Sequence, residues 1–308
     1  MDEAMRKGEN YEVTKKAGLR IVLTICILAG LCLAARPIRA EAAAYKRVAQ
    51  YWEENERNKA GGYYLWNSKG RIYASKSKTG AGKAIAKASK GGQILGALSD
   101  GSAVYYEESR SNSKYLYIYS VKINGKNRKL IGKVKEGAYI NAYYNGNLYV
   151  PGGLASAGKH TYRLNVKTKK VKCIIKNAVP FEQYKQYMLF CDNQLGGKAY
   201  IYNCKTGKFI KFSNKCMCGL NFSAGKVYYA EKVNNTSVRI MSCSINGKNK
   251  RTLVKKLSAD PYNVRKITSR YVYYIKYKGN NYKCYRYDMK MKSSKEISEK
   301  TYLKIVSG

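Results

Sequence analysis

Three carboxylates recur at one place in three separate stretches: Glu108, Asp192 and Glu231 each stand four residues after an apolar anchor, Val104, Met188 and Val227. An acid paired with a second carboxylate about 5–10 Å away is the equipment of glycoside hydrolysis. Equivalent positions in separate repeats point outward rather than at one substrate, however, and pairing with nearby lysines also accounts for them. His160 is the single histidine. Any Ser-His-Asp arrangement would have to use it, and no Gly-x-Ser-x-Gly elbow supplies a nucleophile; it reads as a surface loop residue. Lys78-Thr79-Gly80-Ala81-Gly82-Lys83-Ala84 glances at a phosphate loop, but Ser77 and Ala84 stand where a glycine and a hydroxyl are needed. A hairpin turn accounts for it. Cys216-x-Cys218 has the wrong spacing for a zinc knuckle and reads as buried hydrophobes or a disulfide. No metal and no cofactor is expected.

Charge remains. Lysine and arginine number 59 against 19 aspartates and glutamates, a net +40. The first 20 residues carry Arg6, Lys7, Lys15, Lys16 and Arg20, followed by the apolar run Ile21 to Ala35 and an Ala40-x-Ala42 site. Basic head, short apolar core and small-residue site are the parts of a secretory signal peptide; an uncleaved anchor is the alternative. Residues 43–308 keep 52 basic against 14 acidic residues, or +38, and seven cysteines: Cys173, Cys191, Cys204, Cys216, Cys218, Cys243 and Cys284. An odd number leaves at least one thiol unpaired in a monomer.

The elements that must position these groups repeat. The first apolar residue of each Val-Tyr-Tyr-like strand falls at Tyr63, Val104, Leu148, Met188, Val227 and Val272, spaced by 41, 44, 40, 39 and 45 residues. Hairpin turns keep similar time at Thr79-Gly80, Asn124-Gly125, Lys167-Thr168, Thr206-Gly207, Asn246-Gly247 and Asp288-Met289. Asn-Gly between alternating apolar residues is a strong hairpin signal, and four strands per 40–45 residues is the period of a β-propeller blade. The expectation is an all-β, six-bladed β-propeller over residues 62–308, each blade a four-stranded antiparallel sheet. Tyr302-Leu303-Lys304-Ile305-Val306-Ser307 is expected as a strand that closes the ring beside Tyr63. Apolar residues at 45, 48, 49 and 52 predict a helical lead-in within 43–61, after the signal segment 1–42.

Val227-Tyr228-Tyr229-Ala230-Glu231, then Arg239-Ile240, then Ile245-Asn246-Gly247-Lys248-Asn249-Lys250 resembles the YWTD-type repeat of lipoprotein-receptor propellers. It is similar to secreted bacterial propellers that are like the low-density lipoprotein receptor-related protein 1. Tyrosine replaces the motif's tryptophan, and the Thr-Asp pair is mostly absent. The resemblance implies six blades and a binding scaffold, and it brings no active site with it.

In a propeller the loops between second and third strands share one face. Here that face would carry 107–114, 151–160, 193–198, 232–237 and 276–282, with Arg110, Lys114, Lys159, His160, Lys198, Lys232, Lys276 and Lys278 as candidate ligand-binding residues. Solubility needs a net charge of only about 2–8 in a small domain, so the surplus points to a polyanion. The expected function is a non-catalytic, secreted or cell-surface module for an anionic cell-envelope polymer or acidic polysaccharide. Alternatives are a protein–protein scaffold or sensor, and a glycosidase or lyase using Glu108, Asp192 and Glu231. Membrane contact would come only through an uncleaved N-terminal segment. No recognition helix or RNA-binding motif indicates specific nucleic acid.

Overall fold

A computed structural model describes residues 46–50, 56–135, 140–152, 160–192, 197–216 and 218–307. The signal segment, Lys159 and residues 193–196 of the second-to-third-strand loops lie outside the described residues. So do residues 51–55 of the lead-in. Within the described residues no helix is long and apolar enough to cross a membrane.

The chain forms strand β1 (Lys46–Gln50) and then six consecutive four-strand meanders. The first is β2 (Asn58–Ala60), β3 (Tyr63–Ser68), β4 (Arg71–Ser75) and β5 (Lys83–Lys87). The second is β6 (Gly92–Ser99), β7 (Ala103–Arg110), β8 (Tyr115–Lys122) and β9 (Lys129–Lys135). The third is β10 (Ala142–Tyr144), β11 (Asn147–Pro151), β12 (Thr161–Asn165) and β13 (Val171–Ile175). The fourth is β14 (Ala178–Tyr184), β15 (Tyr187–Asp192), β16 (Gly197–Asn203) and β17 (Lys208–Cys216). The fifth is β18 (Asn221–Ser223), β19 (Lys226–Asn234), β20 (Ser237–Ser244) and β21 (Arg251–Leu257). The sixth is β22 (Val264–Ile267), β23 (Tyr271–Lys278), β24 (Asn281–Asp288) and β25 (Ser293–Ile297), after which comes helix α1 (Glu299–Ser307). They make five sheets, because Cys216 pairs with Glu231 and fuses the fourth and fifth meanders into one eight-stranded sheet.

The Asn-Gly turns form as their chemistry demands. Gly125 and Gly247 take φ of +84° and +75°, and Asn127 and Asn249 follow at +57° and +53°. Asn124 and Asn246 accept hydrogen bonds from the amides of Lys126 and Lys248 at 3.0 and 3.1 Å. Each second strand then buries both of its faces. Val227 and Tyr229 pack on the fourth meander, while Tyr228 and Ala230 pack on the sixth. In β7, Val104 and Tyr106 face the first meander and Tyr105 the third. That double burial explains why Val-Tyr-Tyr shows no apolar–polar alternation. Each buried ring is worth about 1.5–3 kcal/mol.

Two expectations are corrected. Residues 46–50 are a strand rather than the start of a helix: Lys46 pairs with Ser99 and Gln50 with Gly96, extending the second sheet to five strands. Residues 302–307 are helical and do not pair beside Tyr63. Ser298 caps the helix, its hydroxyl accepting from the Thr301 amide at 3.3 Å. Tyr302, Ile305 and Val306 then lie at helical spacing and cover Tyr273, Ile275 and Cys284 on the outer face of the sixth sheet. Among the described residues none of the five core clusters joins the sixth meander to the first.

Candidate functional site

The recurrent carboxylates part company. Glu108 lies on the face of β7 that packs toward the first meander, and none of its side chain is exposed. Arg110 Nε donates to its Oε1 at 2.8 Å, and Arg128 Nη2 reaches Oε2 at 3.4 Å. The Ser89 amide donates to Oε2 at 3.2 Å. Each guanidinium also lies over a ring, Arg110 above Tyr117 at 4.0 Å and Arg128 above Tyr119 at 4.1 Å. Both donate to phenols as well, Arg110 to Tyr119 and Arg128 to Tyr106. Burial pushes the Tyr106 phenol up to about 12, with Arg128 opposing. This is a preorganised ion cluster whose carboxylate is fully engaged. Glu231 instead accepts from Ser213 Oγ at 2.7 Å and stands cross-strand from Arg239. Asp192 lies at the end of β15, half-buried. The three acids belong to three meanders.

The basic candidates are mostly exposed. Arg110 is committed to Glu108. Lys114, Lys198, Lys276 and Lys278 are exposed and Lys232 is half-buried; among the described residues none of these five is in an ion pair. Lys276 lies 5.7 and 5.4 Å from the Tyr274 and Tyr285 rings. Beyond it the rings of Tyr277 and Tyr282, 48% and 43% exposed, stand 6.0 Å apart. Lysines interleaved with exposed rings can neutralise an anion and stack on a flat or sugar-like unit. His160 takes no part in such a cluster: its Nδ1 accepts the Asn177 amide at 3.4 Å, beside Tyr162.

A polar seam along the first strands of the later meanders was not singled out from sequence. Asn141, just before β10, donates to Pro180 O at 2.9 Å. Glu182 Oε2 accepts the Phe222 amide at 2.6 Å. Asn221 donates to Ile267 O at 2.8 Å and accepts from Ile267 N at 2.9 Å. These bonds tie the third meander to the fourth, the fourth to the fifth and the fifth to the sixth. Glu182 is nearly enclosed, its Oε1 without a hydrogen-bond partner. Burial pushes its carboxyl up to about 8, opposed by the Phe222 amide and Lys266. A bulge at Pro180-Phe181-Glu182 turns both Glu182 and Gln183 inward and so masks them from a reading of strand alternation.

With meanders packed in sequence order and joined along their first strands, the chain can be set beside known structures. A prolyl endopeptidase superposes with a TM-score of 0.51 at 10% identity, over 93% of this chain and 47% of that one. The fold is that of a β-propeller. TolB from Acinetobacter baumannii matches at 13% identity and a TM-score of 0.39, over 83% of this chain and 63% of its own. A chain of a nidogen/laminin complex matches at 13% and 0.37, over 64% and 81%. This propeller thus spans less than two thirds of the TolB chain and under half of the endopeptidase. At such identities the likeness speaks for the fold alone. No protein-family model and no curated protein matches the sequence.

Proposed function

We propose that the chain is a non-catalytic binding module, exported to the cell surface or beyond it, that holds an anionic polymer or acidic polysaccharide of the cell envelope. On this reading the six meanders are the six blades of the propeller. The second-to-third-strand end is its contact face. The observation that carries the proposal is the set of exposed lysines Lys114, Lys198, Lys276 and Lys278, none in an ion pair among the described residues, interleaved at the sixth meander with Tyr277 and Tyr282. The export part rests on the sequence of residues 1–42. Hydrolysis by Glu108, Asp192 and Glu231 is the weaker reading, because Glu108 is already saturated by two guanidiniums and an amide.

The test is binding to purified cell envelopes at about 50 and 500 mM salt, which bracket weak and strong screening. Envelopes stripped of anionic polymer serve as the control. Binding is expected to fall with salt and with stripping. Lys198→Gln, Lys276→Gln and Lys278→Gln together should flatten the salt dependence, since each lost contact releases fewer counterions. Binding indifferent to salt and stripping would instead assign the face to a protein or neutral ligand.

A further inference from the structure

The third meander carries a cavity of about 530 Å³, lined by Asn147, Arg163, Asn165, Lys170 and Lys172 together with Thr168 and Val171. It lies at the first-to-second and third-to-fourth strand turns, the opposite end from the lysines discussed above. The lining holds three cations and no carboxylate. No ion pair neutralises any of the three among the described residues.

Arg163 and Lys172 are direct cross-strand partners, so two like charges stand on one face of the sheet. Such a pair is unfavourable when nothing lies between the charges. Arg71 with Lys87, and Arg286 with Lys295, are also opposed in this way. The third meander adds an adjoining space of ligand size. The walls of that space are set before any ligand arrives. Asn165 Oδ1 accepts from the amides of Lys167 and Thr168 at 3.1 and 2.8 Å, and Asn165 Nδ2 donates to Asn147 Oδ1 at 3.2 Å. The Lys169 amide closes the turn onto Asn165 O at 2.8 Å. Arg163 lies beside the Tyr149 and Tyr202 phenols.

We infer that this cavity is a binding site for an oxyanion carried on a sugar-sized unit, either the carboxylate of an acidic sugar or a phosphate ester. Arg163 supplies a planar fork suited to two oxygens. Lys170 and Lys172 add point charges, and the bound anion relieves the Arg163–Lys172 opposition. The site is separate from the exposed lysines, and it stands whether or not those lysines hold a polymer.

The experiment is a titration of the isotopically labelled protein with glucuronate, glycerol phosphate and inorganic phosphate, followed by amide shifts and thermal midpoint. Saturable shifts confined to the turns around Asn147 and Asn165–Lys172 are expected, with a rising midpoint. Glucuronate alone would set the ligand as an acidic sugar, and the two phosphates alone as a phosphate ester. Lys170→Gln with Lys172→Gln, both exposed in the folded protein, should weaken binding about tenfold or more. Lys172→Gln alone should raise the midpoint without ligand. Lys276→Gln with Lys278→Gln should leave the titration unchanged while weakening envelope binding, which separates this site from the proposed contact face. Three results would each overturn the inference: no saturable shift at millimolar concentration, full affinity in the Lys170/Lys172 variant, or equal loss in the Lys276/Lys278 variant.

Discussion

Glu108 and Glu182 are both buried carboxylates, 0% and 8% exposed, and their surroundings treat them in opposite ways. Glu108 is given two guanidiniums and an amide, so its charge is matched where it sits. Glu182 is given one amide and the charge of a lysine, Lys266, whose Nζ donates to Ile305 O near the end of α1. Burial therefore wins at Glu182, and the carboxyl is held protonated near neutral pH. At Glu182 the enclosure supplies too few donors to match a charge.

The largest effect is expected at the paired site. Arg110→Ala with Arg128→Ala leaves Glu108 buried without a cation and should cost about 3 kcal/mol in urea unfolding. Adding Glu108→Gln should recover most of that loss; no recovery would mean that the arginines act through packing on Tyr117 and Tyr119. Glu182→Gln comes next. Between the ordinary carboxylate value of 4.5 and about 8, the folded chain keeps a proton that the unfolded chain has released. Stability therefore falls as pH rises through that window and levels off above it. Glu182→Gln should abolish this slope and stabilise the protein at pH 7 by on the order of 2 kcal/mol. An unchanged slope would show that Glu182 does not titrate there. Lys266→Met should cost about 1 kcal/mol through the lost bond to α1 and move the Glu182 midpoint further upward, as read by carboxyl NMR. Smallest of all, Glu296→Gln removes the exposed Lys283–Glu296 pair, whose side chains are 60% and 50% accessible, and should leave the unfolding midpoint unmoved.

How far the sequence disclosed this molecule follows from what each residue's neighbours are. Second strands were legible because both of their faces are buried, so Val227 to Ala230 and Val272 to Ile275 read as apolar runs wherever they stand. The Asn-Gly turns were legible because their geometry is local. Strand β1 was not, because Lys46–Gln50 pairs with residues some fifty positions away and nothing in its own spacing reveals that partner. At α1 the β-branched Ile305 and Val306 suggested a strand, while the capping Ser298, Glu299 in the first turn and the 302, 305, 306 spacing spoke for a helix. Of the candidate site, Arg110 was expected at a ligand and Glu108 beside lysines, and the two instead bind each other. Arg128, brought in from the far end of the next hairpin, could not be foreseen, and Glu182 was hidden by a bulge that suspends alternation.

The polar seam has an evolutionary side. Asn141, Glu182 and Asn221 grip the main chain of the next meander rather than its side chains. Every residue but proline offers the same amide, and every residue offers the same carbonyl. A meander can thus change nearly all of its side chains and still be held by its predecessor. Such a joint places few demands on sequence. It lets neighbouring repeats differ widely in sequence while the architecture stays put.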